Sequence, residues 1–358
     1  MKEILYSIWD EVLSELTSGT GNILLLGGTD TGKTTFVNQI INRFIQTGQS
    51  SAIIDADLGQ SEIGPPCCVA LGYPNNEVKA LSEIKPERLV FVGNTTPVDN
   101  LLELVTGIQR LAAIGNGRRL VVDTGGYIQG FGAQRLIRST CDLLTPDHIV
   151  LLQRDNEMHA ISKLLKSRSI WKIHQPGVPD CIGGKARNYR IQRRVLKFAA
   201  YFSDASMHSF DLDDIALVGG WLGNGEPLPS NLFAFVRNNL QSEGQLYYAE
   251  LQGRSLYLLT DKAVSLESPR MAAVQQELGV QSLTVTVISR LKNLLLGLEA
   301  GNGRLLGMGI LGNIDFRRRS LEIVTPVRRP ELTSRIIAGR LRITTNGKEL
   351  GKTGPDEW

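Results

Sequence analysis

The chain has 358 residues, 42% of them hydrophobic, and its 39 Lys and Arg against 36 Asp and Glu leave a net charge of +3. That length suggests two domains with proper cores, and so even a charge balance means that any claim of nucleic-acid binding must rest on local patches. Cysteines 67, 68, 141 and 181 show no C-x-x-C or Cys/His cluster, which argues against structural zinc and a disulfide framework. The chain start shows no signal peptide or membrane span, so a cytoplasmic protein with no membrane partner is expected.

Residues 2–17 have the pattern of an amphipathic helix, with Ile4, Leu5, Ile8, Val12, Leu13 and Leu16 on one side, ended by Thr17-Ser18-Gly19-Thr20-Gly21. Asn22-Ile23-Leu24-Leu25-Leu26 is a short apolar run of the kind a buried parallel strand needs. Gly27-Gly28-Thr29-Asp30-Thr31-Gly32-Lys33-Thr34 then fits the phosphate-loop pattern G-x-x-x-x-G-K-[ST]. From Thr35 the spacing turns helical, with Phe36, Val37, Ile40 and Ile41 on one face. Strand, glycine loop and helix in that order aim backbone N–H groups and a helix N-terminus at one anion. A nucleoside triphosphate is the natural ligand. An ordinary tight turn capped by Thr34 would leave Lys33 unexplained, because a helix start disfavours a cation unless an anion is present.

Residues 51–55, 88–92, 119–123 and 148–152 read as further strands and 98–114 as a helix. The β-α alternation predicts a parallel sheet with helices on both faces and ligands at the carboxyl ends of its strands. After about residue 205 short β-rich runs take over: 245–248 with 256–259, then 283–288, 305–310 and 321–324. The expected organisation is a domain over 1–204 with a basic lid at about 181–203, a mostly antiparallel β domain over 205–345, and a polar tail over 346–358 that is read as partly disordered.

Three groups carry the chemistry. Asp55 and Asp57, two apart on a strand, point to one face near the phosphate loop. Asp57 there could accept a proton from an attacking hydroxyl or hold water on a magnesium ion; it could equally cap the strand in a turn with Gly59. Residues 185–197 hold six basic side chains and no acidic one, with Arg187, Arg190 and Arg194 at i, i+3, i+7. Such a helix is either a solvated basic face or a lid over phosphates, hinged at Gly183-Gly184, in which arginine supplies the positive charge that phosphoryl transfer requires. Arg190 and Arg194 are the favoured phosphate contacts, with Arg187 and Arg193 next. Arg317-Arg318-Arg319 and Arg328-Arg329 could follow a nucleic-acid backbone but read better as surface charge, and the four scattered histidines show no ligand spacing.

The phosphate loop, Asp55-Ala56-Asp57-Leu58-Gly59-Gln60-Ser61-Glu62-Ile63-Gly64-Pro65-Pro66, Gly93-Asn94-Thr95-Thr96-Pro97 and Asp123-Thr124-Gly125-Gly126-Tyr127-Ile128-Gln129-Gly130 together resemble the polynucleotide 5′-hydroxyl kinase family. The likeness covers roughly residues 5–205 and continues more loosely into the β region. It implies an α/β fold: a P-loop NTPase parallel sheet with helices on both faces, plus a C-terminal mostly β domain. The extra N-terminal β domain of some eukaryotic members is expected to be absent. The resemblance also implies ATP and Mg2+ as cofactors and the 5′-hydroxyl ends of RNA or DNA as substrates. Asp57 would be the general base and Gln60 would help position the acceptor end. Lys33 would hold the β and γ phosphates, and Thr34 the magnesium. Thr124 and Gly126 would face the γ-phosphate. Tyr127 would stack on a nucleobase, where some members have Trp; without the family it is a half-buried loop aromatic. The expected activity is ATP-dependent 5′-hydroxyl phosphorylation. The alternative is an ATP-binding scaffold without turnover, and a GTPase is disfavoured because Gln153-Arg154-Asp155 stands where N-K-x-D would read guanine.

Overall fold

Alternation along a single strand decides how the first half of the chain is layered. In β1 (Ile23–Gly27), Ile23 and Leu25 join one hydrophobic core, and Leu24 and Leu26 join another. A strand buried on both sides belongs inside a sheet covered by helices on each face. The computed structural model describes residues 2–240, 244–354 and 358, with side chains from Ile8 onward. It divides into two compact units, residues 1–198 and 199–358.

The first unit runs α1 (Lys2–Ser18), β1, α2 (Lys33–Gln46), β2 (Ser51–Ala56), β3 (Cys68–Gly72), β4 (Pro86–Phe91), α3 (Leu101–Ile114), β5 (Arg119–Thr124), α4 (Gly130–Leu144), β6 (His148–Leu152), α5 (His159–Lys166), β7 (Lys172–His174) and α6 (Arg187–Tyr201). Its seven strands lie in the order β4-β3-β2-β5-β1-β6-β7. The five from β2 to β7 are parallel. The expected parallel sheet therefore holds with one addition: β3 runs antiparallel to both β2 and β4. Its Cys68-Val69-Ala70-Leu71-Gly72 is wholly buried and has no alternation to signal a strand.

Helices α1 and α2 cover one face, and α3, α4 and α5 cover the other. The amphipathic face expected for α1 is shifted. Trp9, Leu13 and Leu16 are buried, whereas Ile8 is exposed; Ile4 and Leu5 lie outside the described side chains. Trp9 meets Phe36 of α2 edge-on at 5.3 Å, and its indole N–H donates to Gly177 O at 2.8 Å. An indole buried this way contributes apolar area while its polar edge stays paired. Among the described residues no helix is long and apolar enough to cross a membrane.

The second unit contains β8 (Ser206–Asp211), β9 (Ala216–Val218), β10 (Glu226–Pro227), α7 (Ser230–Leu240), β11 (Leu246–Gln252), β12 (Ser255–Thr260), α8 (Pro269–Leu278), β13 (Ser282–Val287), α9 (Ile288–Leu291), β14 (Leu294–Ala300), β15 (Leu305–Asp315), β16 (Ser320–Thr325), β17 (Thr333–Ile343) and β18 (Glu349–Lys352). One sheet is ordered β10-β11-β12-β13, the other β18-β17-β14-β15-β16-β8 with β9 beside β17. Pairing is antiparallel except for β12 with β13 and β9 with β17. Within the stretch expected to be a partly disordered polar tail, part is ordered, and residues 355–357 lie outside the described residues. Glu349–Lys352 pairs with β17, and Trp358 is 2% exposed within the core of this unit. The basic clusters are balanced locally: Arg319 Nε donates to both carboxylate oxygens of Asp213 at 2.8 and 2.7 Å, and Arg329 pairs with Glu331.

Candidate active site

The loop between β1 and α2 sits at the carboxyl edge of the sheet, where parallel strands of this type bind ligands. Gly32 caps α2 with φ +88°, a conformation that favours glycine. A side chain there would also run into Ile182 and Trp9. Lys33 folds back over the loop and donates to Gly27 O at 2.9 Å and Gly28 O at 2.6 Å. Burial pushes its ammonium below the usual lysine range, while the charges of Asp123, Asp57, Asp30 and Glu157 pull it back up. Thr31 is buried and donates to Gly28 O at 3.0 Å, which closes the loop on itself.

A cleft opens over this loop. Thr29 through Thr35 form its floor, Asp57, Gln60 and Glu62 one wall, and Ile182, Gly183, Lys185, Arg190 and Arg193 the other, with Gly126 at the rim. The structure thus brings together Thr29, Asp30, Thr31, Gly32, Lys33, Thr34, Thr35, Asp57, Gln60, Gly126, Arg190 and Arg193 from the expected set. Gly27 and Gly28 stand behind the loop and serve it through their carbonyls. Thr124 turns away and donates to Leu25 O at 2.7 Å. Tyr127 packs half-buried against the α3–α4 side of the core instead of entering the cleft.

Asp57 lies just past the end of β2. Its Oδ1 accepts from Gly59 N at 3.0 Å and Gln60 N at 2.9 Å, so the turn-capping geometry is real. Its Oδ2 has no hydrogen bond among the described residues. One oxygen therefore fixes the carboxylate while the other stays available. Asp55 points elsewhere. It is fully buried and accepts from Asp57 N, Ser61 Oγ, Glu62 N and Ile63 N, and burial raises its pKa to about 6. Asp55 builds the turn that presents Asp57. Gln60 Nε2 donates to Gly59 O at 2.7 Å and to Arg190 O at 3.2 Å, while its Oε1 is buried without a partner.

Helix α6 presents a different face from the one its spacing suggested. Arg190 Nη1 meets Asp30 Oδ2 at 3.2 Å, Arg193 Nη2 meets Glu62 Oε2 at 2.5 Å, and Lys197 Nζ donates to the carbonyls of Ser61 and Glu62. Positions 190 and 193 meet the two cleft carboxylates, and position 197 meets the main-chain carbonyls of Ser61 and Glu62. Arg187 is exposed at the helix start, and neither it nor Arg194 lines the cleft. Asp30 also accepts from Lys185 N at 2.8 Å, so this one phosphate-loop side chain holds both ends of the basic approach.

Three contributors escaped the sequence reading. Thr34 Oγ1 donates to Asp123 Oδ2 at 2.9 Å, and Asp123 Oδ1 is buried with no partner. Burial, then the neighbouring Asp55 charge, pushes Asp123 to about 8. An acidic residue ending an apolar strand beside the phosphate-loop strand was its available signal. Glu62 lay inside a recognised motif without a role. Arg154 donates to Ile182 O and, at 3.4 Å, to Asp30 O, tying the hinge to the loop; nothing in its local sequence announces that.

A family model described as mRNA cleavage and polyadenylation factor CLP1 P-loop matches residues 27–204. The chain is 30% identical to a polyribonucleotide 5′-hydroxyl-kinase of Methanocaldococcus jannaschii, over 92% of this chain and 89% of that one. It is 31% identical to the corresponding protein of Pyrococcus furiosus, over 92% and 89%. In fold it resembles Clp1p as solved in a complex with Pcf11p, with a TM-score of 0.59 at 14% identity over 96% of this chain and 79% of that one.

Proposed function

The chain belongs to the family that joins the CLP1 P-loop proteins with the polyribonucleotide 5′-hydroxyl-kinases, and from that premise we propose that it transfers the γ-phosphate of ATP to the 5′-hydroxyl end of RNA or DNA in the cytoplasm. The observation that carries this reading is Asp57: one carboxylate oxygen is pinned by two backbone N–H groups, and the other is unpartnered in a cleft shared with Lys33, Arg190 and Arg193. A general base needs that combination of fixed position and free lone pair.

In this reading the acceptor oxygen attacks the γ-phosphorus and its proton passes to Asp57 Oδ2. The bond to the β-phosphate oxygen breaks, and ADP leaves. Lys33 meets the β and γ oxygens, which offer its buried ammonium anionic partners in place of two carbonyls. Arg190 and Arg193 exchange their carboxylates for the equatorial oxygens, where charge resides in a loose transition state. The unpartnered Oε1 of Gln60 accepts a hydrogen bond from the acceptor end. The residues also fit a magnesium ion. A buried carboxylate oxygen with no partner, Asp123 Oδ1, calls for a cation or a proton, and Thr34 stands beside it. Thr34 and Asp123 would hold the ion, which when bound neutralises charge on the phosphates.

The test is incubation with γ-labelled ATP and 5′-hydroxyl oligonucleotides of RNA and DNA. The wild type is expected to label 5′ ends. Lys33→Ala should lose about 10²–10³-fold in rate, the usual effect of removing one preorganised electrostatic contact. Equal and negligible label from both proteins would overturn the kinase reading and leave a nucleotide-binding scaffold.

A further inference from the structure

The segment that follows β5 carries two aromatic side chains, Tyr127 in the loop and Phe131 in the first turn of α4, and they are turned in opposite directions. Tyr127 faces inward: it packs against the core, and its hydroxyl lies so close over Gly132 that a Cβ there would stand 2.4 Å away. Phe131 faces outward and is 87% exposed, more than any other large hydrophobic side chain described. One exposed apolar residue is unremarkable by itself, but three features set this one apart.

The first is position. Gly126 forms the rim of the phosphate cleft, and Phe131 follows it by five residues. At full extension that is at most about 18 Å of chain, the reach of two or three nucleotides. The second is the company it keeps. On α4 the positions i+4 and i+7 from Phe131 are Arg135 and Arg138, both exposed on the same helix face. Arg138 lies 3.6 Å from Asp142, whereas Arg135 has no ion pair among the described residues. The third is the backbone. Gly130 has φ +83° at the start of α4, and its open surroundings let the chain turn outward just before the ring.

We infer that Phe131 and Arg135 form a binding site for the acceptor strand beyond its terminal nucleotide: the ring stacks on an unpaired base and the guanidinium meets a backbone phosphate. This rests on the kinase reading for the identity of the strand, and it adds a substrate class to it. The preferred acceptor is a single-stranded end at least three nucleotides long, bound with little regard to sequence. Every base offers a π-face, so an aromatic platform beside a cation binds without reading sequence. A base paired in a duplex has both faces stacked and offers none.

The experiment measures binding and turnover separately. Anisotropy of a 3′-labelled, 5′-hydroxyl decamer should show Phe131→Ala weakening Kd by about 5- to 150-fold, the loss expected from about 1–3 kcal/mol of base stacking at tenfold per 1.36 kcal/mol. Phe131→Trp should restore binding and Phe131→Leu should not, which separates stacking from simple apolar contact. Arg135→Ala should weaken binding and reduce the slope of log K against log salt by about one. In turnover, KM for the decamer should rise in Phe131→Ala while KM for a dinucleotide and the ATP affinity stay as in the wild type. Decamer binding unchanged in Phe131→Ala, or a wild type that binds no single strand, would overturn the inference. A wild type that binds the decamer through Phe131 yet never labels it would instead overturn the kinase reading.

Discussion

A single carboxylate can cap a turn and act as a base if its two oxygens do different work. Asp57 is placed that way, with Oδ1 committed to Gly59 N and Gln60 N and Oδ2 left over. Asp123 is the converse. It is buried, Thr34 satisfies one of its oxygens and the other has no partner, so it suits a cation held beside the phosphate loop. The glycine opposite them is just as constrained. A Cβ at Gly126 would lie 2.3 Å from Thr29 Oγ1 and 2.8 Å from Thr29 N. Backbone cannot yield as a flexible side chain can, and overpacking of this kind costs about 1–3 kcal/mol. Gly126→Ala is therefore expected to weaken ATP binding about tenfold or more in isothermal titration. An unchanged Kd would mean that the loop after β5 does not brace the phosphate loop.

At the scale of elements, partners override periodicity. The spacing of α6 offered Arg187, Arg190 and Arg194 as a shared face. Arg190 and Arg193 meet Asp30 and Glu62, and Lys197 meets the main-chain carbonyls of Ser61 and Glu62. Helical spacing lists which residues can act together, but the choice between neighbouring faces belongs to residues distant in sequence. The same holds for α1, where Trp9 and not Ile8 is buried against Phe36. Far from the cleft, α1, β6 and β7 meet at a small polar cluster. His148 Nδ1 and His174 Nε2 are 3.2 Å apart, and Glu15 Oε2 lies 3.7 Å from His174 Nδ1. Burial pushes the His174 imidazole below its usual pKa, against the pull of Glu15 and with the push of His148. The folded state thus binds this proton less readily than the unfolded chain. Its contribution to stability is present above the ordinary histidine value near 6.5 and is lost as pH falls towards the depressed value. Thermal melts from about pH 7.5 to 5.5 should fall more steeply for the wild type than for His174→Gln. Parallel profiles would show that His174 keeps its ordinary affinity for the proton.

Across the whole molecule, the legible parts were those written locally. The phosphate loop, the apolar strands, the turn holding Asp57 and the basic run of α6 each announce themselves within about fifteen residues. What stayed hidden depends on long-range pairing: β3 inserted antiparallel between β2 and β4, β18 and Trp358 closing the second unit, and Asp123 reaching Thr34 across 89 positions. A continuous apolar run has no period to reveal its direction, and a polar tail has no period to reveal a strand. Function was more legible than topology because a phosphate cradle is built from adjacent residues, whereas a sheet is not. The account as a whole depends on Asp57 taking the acceptor proton from a site that binds ATP without it. Single-turnover transfer to a 5′-hydroxyl oligonucleotide, measured beside equilibrium ATP binding, tests this in Asp57→Asn. The account predicts ATP bound as in the wild type and transfer slowed by about 10²–10⁴-fold; transfer at the wild-type rate would contradict it.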